Sequence, residues 1–256
     1  MNIFVIGSGN VATHLSCAML KAGHSITGVC GRNYKHTAEL AEALNTTPFT
    51  NINQIPTNAD IYLISVSDDS IADVAAQIPE VEGIVAHTAG SVPMSVLKRF
   101  GNYGVVYPLQ SFSKSRQINV SRVPFCIEGN DCSTANSLIA LARSLSKDVR
   151  PMTSDQRAQL HIAAVFASNF VNSMYAEAET ILKKSNISFD IMQELIAETA
   201  AKAVELGPVA AQTGPARRGD TKVMNHQIQS LADGGLQKLY SFVSERIQCR
   251  YTPTND

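Results

Sequence analysis

Up to about residue 152 the chain alternates short, β-branched apolar runs with amphipathic stretches. The apolar runs fall at 3–6, 25–29, 61–66, 83–87, 104–107 and 124–127, with a last short one at 148–151. Between several of them lie helix-like segments, such as 11–22, 36–44 and 70–78. Strands that alternate with helices predict βαβ units and a mostly parallel, doubly wound sheet covered on both faces.

After Met152 the rhythm changes. Thr153-Ser154-Asp155-Gln156 reads as a capping box and opens a helix expected to run to about Ser185. Ser188 is placed to cap a second helix ending near Gly207-Pro208. Asp220 is placed to cap a third, and Gly234-Gly235 separates it from a final helix through Gln248. The expected organisation is therefore an α/β domain over 1–152 followed by an all-helical domain over 153–256, with the tail YTPTND frayed.

Composition narrows the class without naming a chemistry. The 256 residues carry a formal net charge of −1, with 45% hydrophobic and 17% charged residues. That balance gives no electrostatic reason to expect nucleic acid or an anionic membrane as a partner. No apolar run approaches the roughly 20 residues of a membrane-spanning helix, and the N-terminal MNIFVIGSGN reads as a first strand, not a signal peptide. The five cysteines are scattered and form no CxxC pair, so reduced, mostly buried thiols in a cytoplasmic protein are expected, with no metal site.

The candidate chemistry begins at FVIGSGNVATHL, where Gly7-x-Gly9-x-x-Ala12 follows the first strand and opens the first helix. Gly7 permits the tight turn, Gly9 lets the backbone approach a pyrophosphate, and Ala12 lets the helix pack close to the sheet. The segment Gly7, Ser8, Gly9, Asn10, Val11 and Ala12 thus presents helix N-terminal N–H groups and the positive end of the helix dipole to phosphates. In this context, the first βα turn of a βαβ unit, the fingerprint predicts a Rossmann-type dinucleotide site. The second strand runs out into Gly31-Arg32-Asn33, where NAD-binding sites of this type place an acid for the ribose hydroxyls. Arg32 is able to pair with a 2′-phosphate and Asn33 to donate to it, so the expected cofactor is NADP. A solvated loop arginine is the plain alternative.

Three later strands end in polar clusters at the edge where such sheets bind ligands. Ser65-Val66-Ser67-Asp68 is placed to flank the nicotinamide ribose, with Asp68 and Asp69 expected to cap the helix that follows. The others are His87-Thr88-Ala89-Gly90-Ser91 and Tyr107-Pro108-Leu109-Gln110-Ser111-Phe112. Loops collect Ser, Gly and Pro for turn reasons too, so each cluster alone stands open between site and scaffold. His87 and Tyr107 are their proton-exchanging members. On the long helix His161, Ser168 and Asn172, spaced i, i+7 and i+11, fall near one line, with Asn169 beside it. That stripe faces a ligand cleft, a neighbouring helix or solvent. Late in the chain, Gln212 to Asp220 breaks two helices and carries Arg217 and Arg218, either a basic turn or an anion clamp.

Taken together, GxGxxA, the HTAGS loop, YPLQSF, HIAAVFASNF and TGPARRGD resemble a group of bacterial two-domain proteins. These join a Rossmann-like domain to a helical domain of uncharacterised function and are described as NADP oxidoreductases of the coenzyme-F420-dependent type. The resemblance spans nearly the whole chain. It implies kinship with the 6-phosphogluconate dehydrogenase-like superfamily, including pyrroline-5-carboxylate reductase, whose helical domains dimerise and complete the active site. It carries NADP-binding roles onto Gly7, Gly9, Ala12, Arg32 and Asn33, the helix motif onto His161 and Asn169, and the late-loop motif onto residues 213–220. It departs at Tyr107, where a histidine is expected, and no lysine matches the catalytic lysine of the hydroxyacid dehydrogenase branch.

The expected function is a cytoplasmic, homodimeric NADPH-dependent oxidoreductase passing a hydride to a small carbonyl or imine substrate. His161, Asn169, Ser168 and His87 are its candidate catalytic residues. Ser65, Val66 and Ser67 join the cofactor site, while Tyr107, Gln110, Asn172, Arg217 and Arg218 are candidates for holding the small-molecule substrate. Two alternatives stay open: a non-catalytic NADP(H)-binding regulatory or scaffold protein, and hydride transfer between NADP and a deazaflavin.

Overall fold

The computed structural model describes residues 1–251; the expectation for the tail after Tyr251 lies outside them. The chain divides into two compact units, the first Met1–Asn169, the second beginning at Phe170.

In the first unit, β1 (Asn2–Ile6), α1 (Asn10–Lys21), β2 (Ser25–Cys30), α2 (Tyr34–Ala43) and β3 (Pro48–Phe49) form one half of the sheet. The other half is β4 (Ile61–Ile64), α3 (Ile71–Gln77), β5 (Ile84–His87), β6 (Tyr103–Pro108), β7 (Phe125–Gly129), α4 (Cys132–Leu145) and β8 (Val149–Pro151). The strand order is β3-β2-β1-β4-β5-β6-β7-β8. All neighbours pair in parallel except β6 and β7, whose antiparallel register runs from Gly104↔Gly129 to Pro108↔Phe125. The expected α/β, Rossmann-type, mostly parallel sheet is what forms.

Alternation along β1 explains why its run is apolar throughout. Ile3 and Val5 pack with Leu15 and Met19 of α1 and with Leu138 and Leu141 of α4. Phe4 and Ile6 point to the other face, among Tyr62, Ile64, Ile71 and Val85. Both faces are covered, so no position of the strand core tolerates a polar side chain. At these strengths each buried aliphatic side chain contributes about 1.5–3 kcal/mol.

The polypeptide then enters α5 (Ser154–Ala164), capped by the anticipated Thr153–Gln156 box. The expected uninterrupted helix to Ser185 is instead broken by a π-helical segment, Val165–Phe170. In the second unit, α6 (Val171–Lys184) continues, followed by α7 (Gln193–Leu206), α8 (Pro208–Ala211), α9 (Pro215–Arg218), α10 (Thr221–Ser230) and α11 (Gly234–Tyr251). Neither Ser188 nor Asp220 makes a side-chain cap bond. Asp233 caps α11 by accepting from the Leu236 N–H at 2.8 Å, so the two glycines start that helix instead of preceding it. Of the cysteines, Cys30 and Cys126 are buried and Cys132 and Cys249 exposed, so burial holds for fewer than expected.

Candidate active site

The glycine cradle sits at the carboxyl end of β1. Gly7 takes φ +125°, and any Cβ there would run into the Ser65 carbonyl beyond β4. Its N–H donates to the Cys30 carbonyl at 2.7 Å, and Ser65 N–H donates to Ile6 at 2.7 Å. The turn is thereby clamped between β2 and β4. Gly9 is the N-cap of α1, without a side-chain cap, and the space where its Cβ would stand is open. Ala12 is fully buried against the sheet. These are the demands of a backbone that must approach a pyrophosphate at a helix N-terminus, and the residues fit a dinucleotide.

A cavity of about 850 Å³ opens beside this cradle. Gly7, Ser8, Gly9, Asn10, Val11, Arg32, Asn33, Ser65, Val66 and Ser67 all line it, whereas Ala12 supports it from behind. Gly31 is wedged in the wall, since a Cβ there would stand 2.5 Å from Thr37 Oγ1 and 3.1 Å from Ser8 Oγ. Asn33 caps α2 by accepting from His36 N–H at 3.1 Å, so its carboxamide oxygen is committed and its NH₂ group remains the donor. Thr50, Asn51 and Ile52, beyond β3, and Asp73, Val74 and Gln77, on α3, also line the cavity. Sequence reasoning missed them because β3 has only two residues and the apolar pattern of α3 reports only its buried face.

Further along the same sheet edge, Tyr107 at the end of β6 meets His161 of α5. Tyr107 Oη lies 3.1 Å from His161 Nδ1, with the rings edge-on at 69°. Gly90 makes this possible: a Cβ there would stand 2.5 Å from His161 Nδ1 and 2.8 Å from Tyr107 Cζ. Burial pushes the Tyr107 phenol up to about 12, with the nearby Cys126 and Asp68 adding to the shift. The phenol therefore keeps its proton at neutral pH and donates to Nδ1 when the imidazole carries its hydrogen on Nε2.

Position 161 is fixed by a buried ion pair one turn earlier. Arg157, 1% exposed, pairs with Glu128 of β7, 15% exposed. Arg157 Nη2 also donates to the Val92 carbonyl at 2.6 Å, and Ser154 Oγ donates to Glu128 at 2.7 Å. Nothing in the local sequence marks Arg157 as buried.

Other expected residues fall differently. His87 is fully buried and accepts from the Ala89 N–H through Nδ1 at 3.2 Å. Burial, aided by the Arg157 charge, lowers it to about 4, which keeps the ring neutral at physiological pH. The structure thus places the expected catalytic candidate His87 inside the sheet edge as a buried, neutral imidazole that holds the start of the loop after β5. Asp68 makes no cap bond; its carboxylate accepts from the Ser91 hydroxyl instead. Gln110 is exposed, its Oε1 accepting from Ser111 N–H at 2.9 Å within its own turn.

The expected line through His161, Ser168 and Asn172 is also altered. A π turn takes about one more residue than an α turn. Ser168 and Asn169 both lie within the π segment, so the i, i+7, i+11 spacing of a regular α-helix does not hold between His161 and Asn172. In the second unit Asn172 is exposed. There Arg217 donates to the Gln212 and Ala210 carbonyls and lies over the Tyr251 ring at 5.1 Å, so its guanidinium is occupied in holding the loop. Arg218 is 64% exposed, 4.0 Å from Asp220.

Residues 2–90 match the family model described as NADP oxidoreductase, coenzyme F420-dependent. Residues 123–247 match a domain of unknown function, DUF2520. A proposed NADP oxidoreductase from Bacteroides fragilis is 40% identical, with a TM-score of 0.89 over 96% of this chain and 97% of that one. The chain belongs to that protein's family. A Thermotoga maritima protein shares the fold at 17% identity, with a TM-score of 0.82 over 98% of this chain and 100% of that one. A 1-pyrroline-5-carboxylate reductase from Streptococcus pyogenes shares it at 12% identity, with a TM-score of 0.66 over 97% and 98%. No curated protein matches the chain. The family architecture is the one read from the sequence, a Rossmann unit followed by helices.

Proposed function

We propose that this member of the family is an NADPH-dependent reductase acting on a small carbonyl or imine compound. The observation that carries the reading is the cavity at the carboxyl ends of β1, β2 and β4, which gathers every expected cofactor residue except the supporting Ala12. NADPH, when bound, supplies the hydride. The Gly7–Val11 backbone holds the pyrophosphate, Arg32 pairs with the 2′-phosphate, and the Asn33 NH₂ group adds a donor. Ser65 to Ser67 flank the ribose nearer the chemistry.

His161, held by Tyr107, supplies and recovers the proton, and Asn169 orients the substrate. His87 and Arg157 keep the strand ends and α5 in place without touching it. Within the helical unit Arg218, whose guanidinium is not tied to backbone carbonyls as that of Arg217 is, is the better partner for an anionic group. That unit also leaves Ile191 70%, Leu195 58%, Val204 88% and Phe242 63% exposed, which supports a homodimer formed through it. Among the described residues no helix is long and apolar enough to cross a membrane.

Calorimetric titration with NADPH and NADH tests the cofactor assignment. Wild-type protein should prefer NADPH, and Arg32→Ala should weaken NADPH by about 1.5–3 kcal/mol while leaving NADH nearly unchanged. Equal affinity for both cofactors in the wild type would remove the 2′-phosphate role.

A further inference from the structure

Two walls of the dinucleotide cavity hold none of the residues assigned to phosphate or ribose. One is the turn after β3, with Asn51 and Ile52, and the other is the side of α3 that carries Asp73, Val74 and Gln77. The Ile52–Gln54 turn packs beside α3. Ile52 and Val74 stand half-buried against the apolar cluster of Phe4, Tyr62 and Ile71, so each wall offers an aliphatic surface to the cavity.

The polar groups on the two walls differ in what they can exchange. Asn51 Oδ1 accepts from the Asn53 N–H at 3.0 Å, which leaves its NH₂ group as the donor on that side. Gln77 donates through Nε2 to the Asp73 carbonyl at 2.9 Å, which turns its carboxamide the other way and leaves Oε1 as an acceptor. The Asp73 carboxylate is an acceptor only. Charge is divided along the cavity as well. Of the residues that line it, Arg32 is the one cation and Asp73 the one anion. The Cys30 thiol in the same wall, pushed by burial up to about 11, stays neutral. A phosphate is drawn toward Arg32 and repelled by Asp73, so the Asp73 end suits an uncharged, flat group that offers hydrogens.

We infer that Asp73 and Gln77 read the 6-amino group of a purine, so that the site selects an adenine dinucleotide over its hypoxanthine counterpart. This rests on the reductase reading and its cofactor. The two faces of adenine suit Ile52 and Val74. Its amino group carries two hydrogens for the two acceptors of α3, and its ring nitrogens accept from the Asn51 NH₂ group. Hypoxanthine has the same size, but an oxygen replaces the amino group. Lone pairs would then face the α3 acceptors, and the single N1–H would leave one of them without a donor.

The probes are NADP and nicotinamide hypoxanthine dinucleotide phosphate, each titrated calorimetrically into the full-length protein. They carry the same phosphates and the same charge, so the ratio of their affinities reports the base alone. Wild-type protein should bind NADP about tenfold or more tightly. Asp73→Asn keeps the shape of the side chain and supplies a donor for the hypoxanthine oxygen. It should shrink the ratio to below about threefold or invert it, and Gln77→Met should remove part of it. Both residues are exposed, so neither change disturbs the core. A carboxylate in the first turn of α3 also suits the helix dipole. A residue kept for that alone would shift the urea midpoint and leave the ratio as it is.

Equal binding of the two dinucleotides by the wild type overturns the inference and spares the reductase reading. A ratio that Asp73→Asn leaves unchanged does the same. Protein that is folded by circular dichroism yet binds neither dinucleotide overturns both.

Discussion

At the scale of single residues, the same side-chain type serves opposite ends according to its surroundings. His161 is half-exposed and tied to a phenol that stays protonated, while His87 is sealed within the sheet edge. Above pH 6.5 His87 is neutral in both folded and unfolded chains and adds no pH dependence. Below it the unfolded chain takes up a proton that the folded one, with its group lowered to about 4, refuses. Stability therefore falls as pH drops through that window, by up to about 3 kcal/mol from this residue. Urea unfolding measured across the same range should show the slope, and His87→Gln, which keeps an acceptor for Ala89, should flatten it. An unchanged slope would mean that other groups set the acid limit.

At the scale of elements, α5 is anchored by charge and adjusted by its π turn. The Arg157–Glu128 pair is buried and further bonded to Ser154 and Val92. Removing one partner leaves the other charged and uncompensated, so Arg157→Met should cost about 3–5 kcal/mol in urea unfolding. Adding Glu128→Gln to Arg157→Met should restore part of that loss, which a simple packing defect would not allow. The π segment leads to a separate expectation. With Asn169 as the proposed orienting residue, Asn169→Ala should lower turnover by about tenfold or more, the loss of one substrate hydrogen bond. Ser168→Ala should then be nearly silent, and the reverse order in steady-state kinetics would place the stripe at i+7.

At the scale of the whole molecule, the two units distribute their apolar residues differently. The Rossmann unit buries its strand residues on both faces, whereas among the described residues of the helical unit only Ala216 and Met224 are buried hydrophobics. A homodimer through the helical unit would cover such side chains, at about 1.5–3 kcal/mol for each aliphatic fully buried. Sedimentation equilibrium should accordingly give twice the chain mass. Placing charge in the apolar surface with Leu195→Asp and Val204→Asp should shift it toward the single chain, and a wild-type monomer would end the proposal.

The elements of the first unit were legible because their signals are local. A strand buried on both faces must be apolar along its length, and the turn after β1 requires a glycine at φ +125°. The capping box at Thr153 was legible for the same reason, since its partners are three residues apart. The two-residue β3, held by neighbours rather than by its own pattern, had no such signal, and neither did the antiparallel turn of β7. The candidate cofactor residues were read from one turn and two strand ends, each a short motif. The contacts beside them join residues far apart in the chain: Tyr107 with His161 at a separation of 54, Glu128 with Arg157 at 29, Asp68 with Ser91 at 23. A hydroxyl, an arginine or an aspartate reads alike in sequence whether it caps a helix or meets a distant partner. Sequence alone determined the frame, because burial and backbone geometry act on neighbours. Tertiary structure decided which polar groups stand together, because charge and hydrogen bonding depend on distance in space.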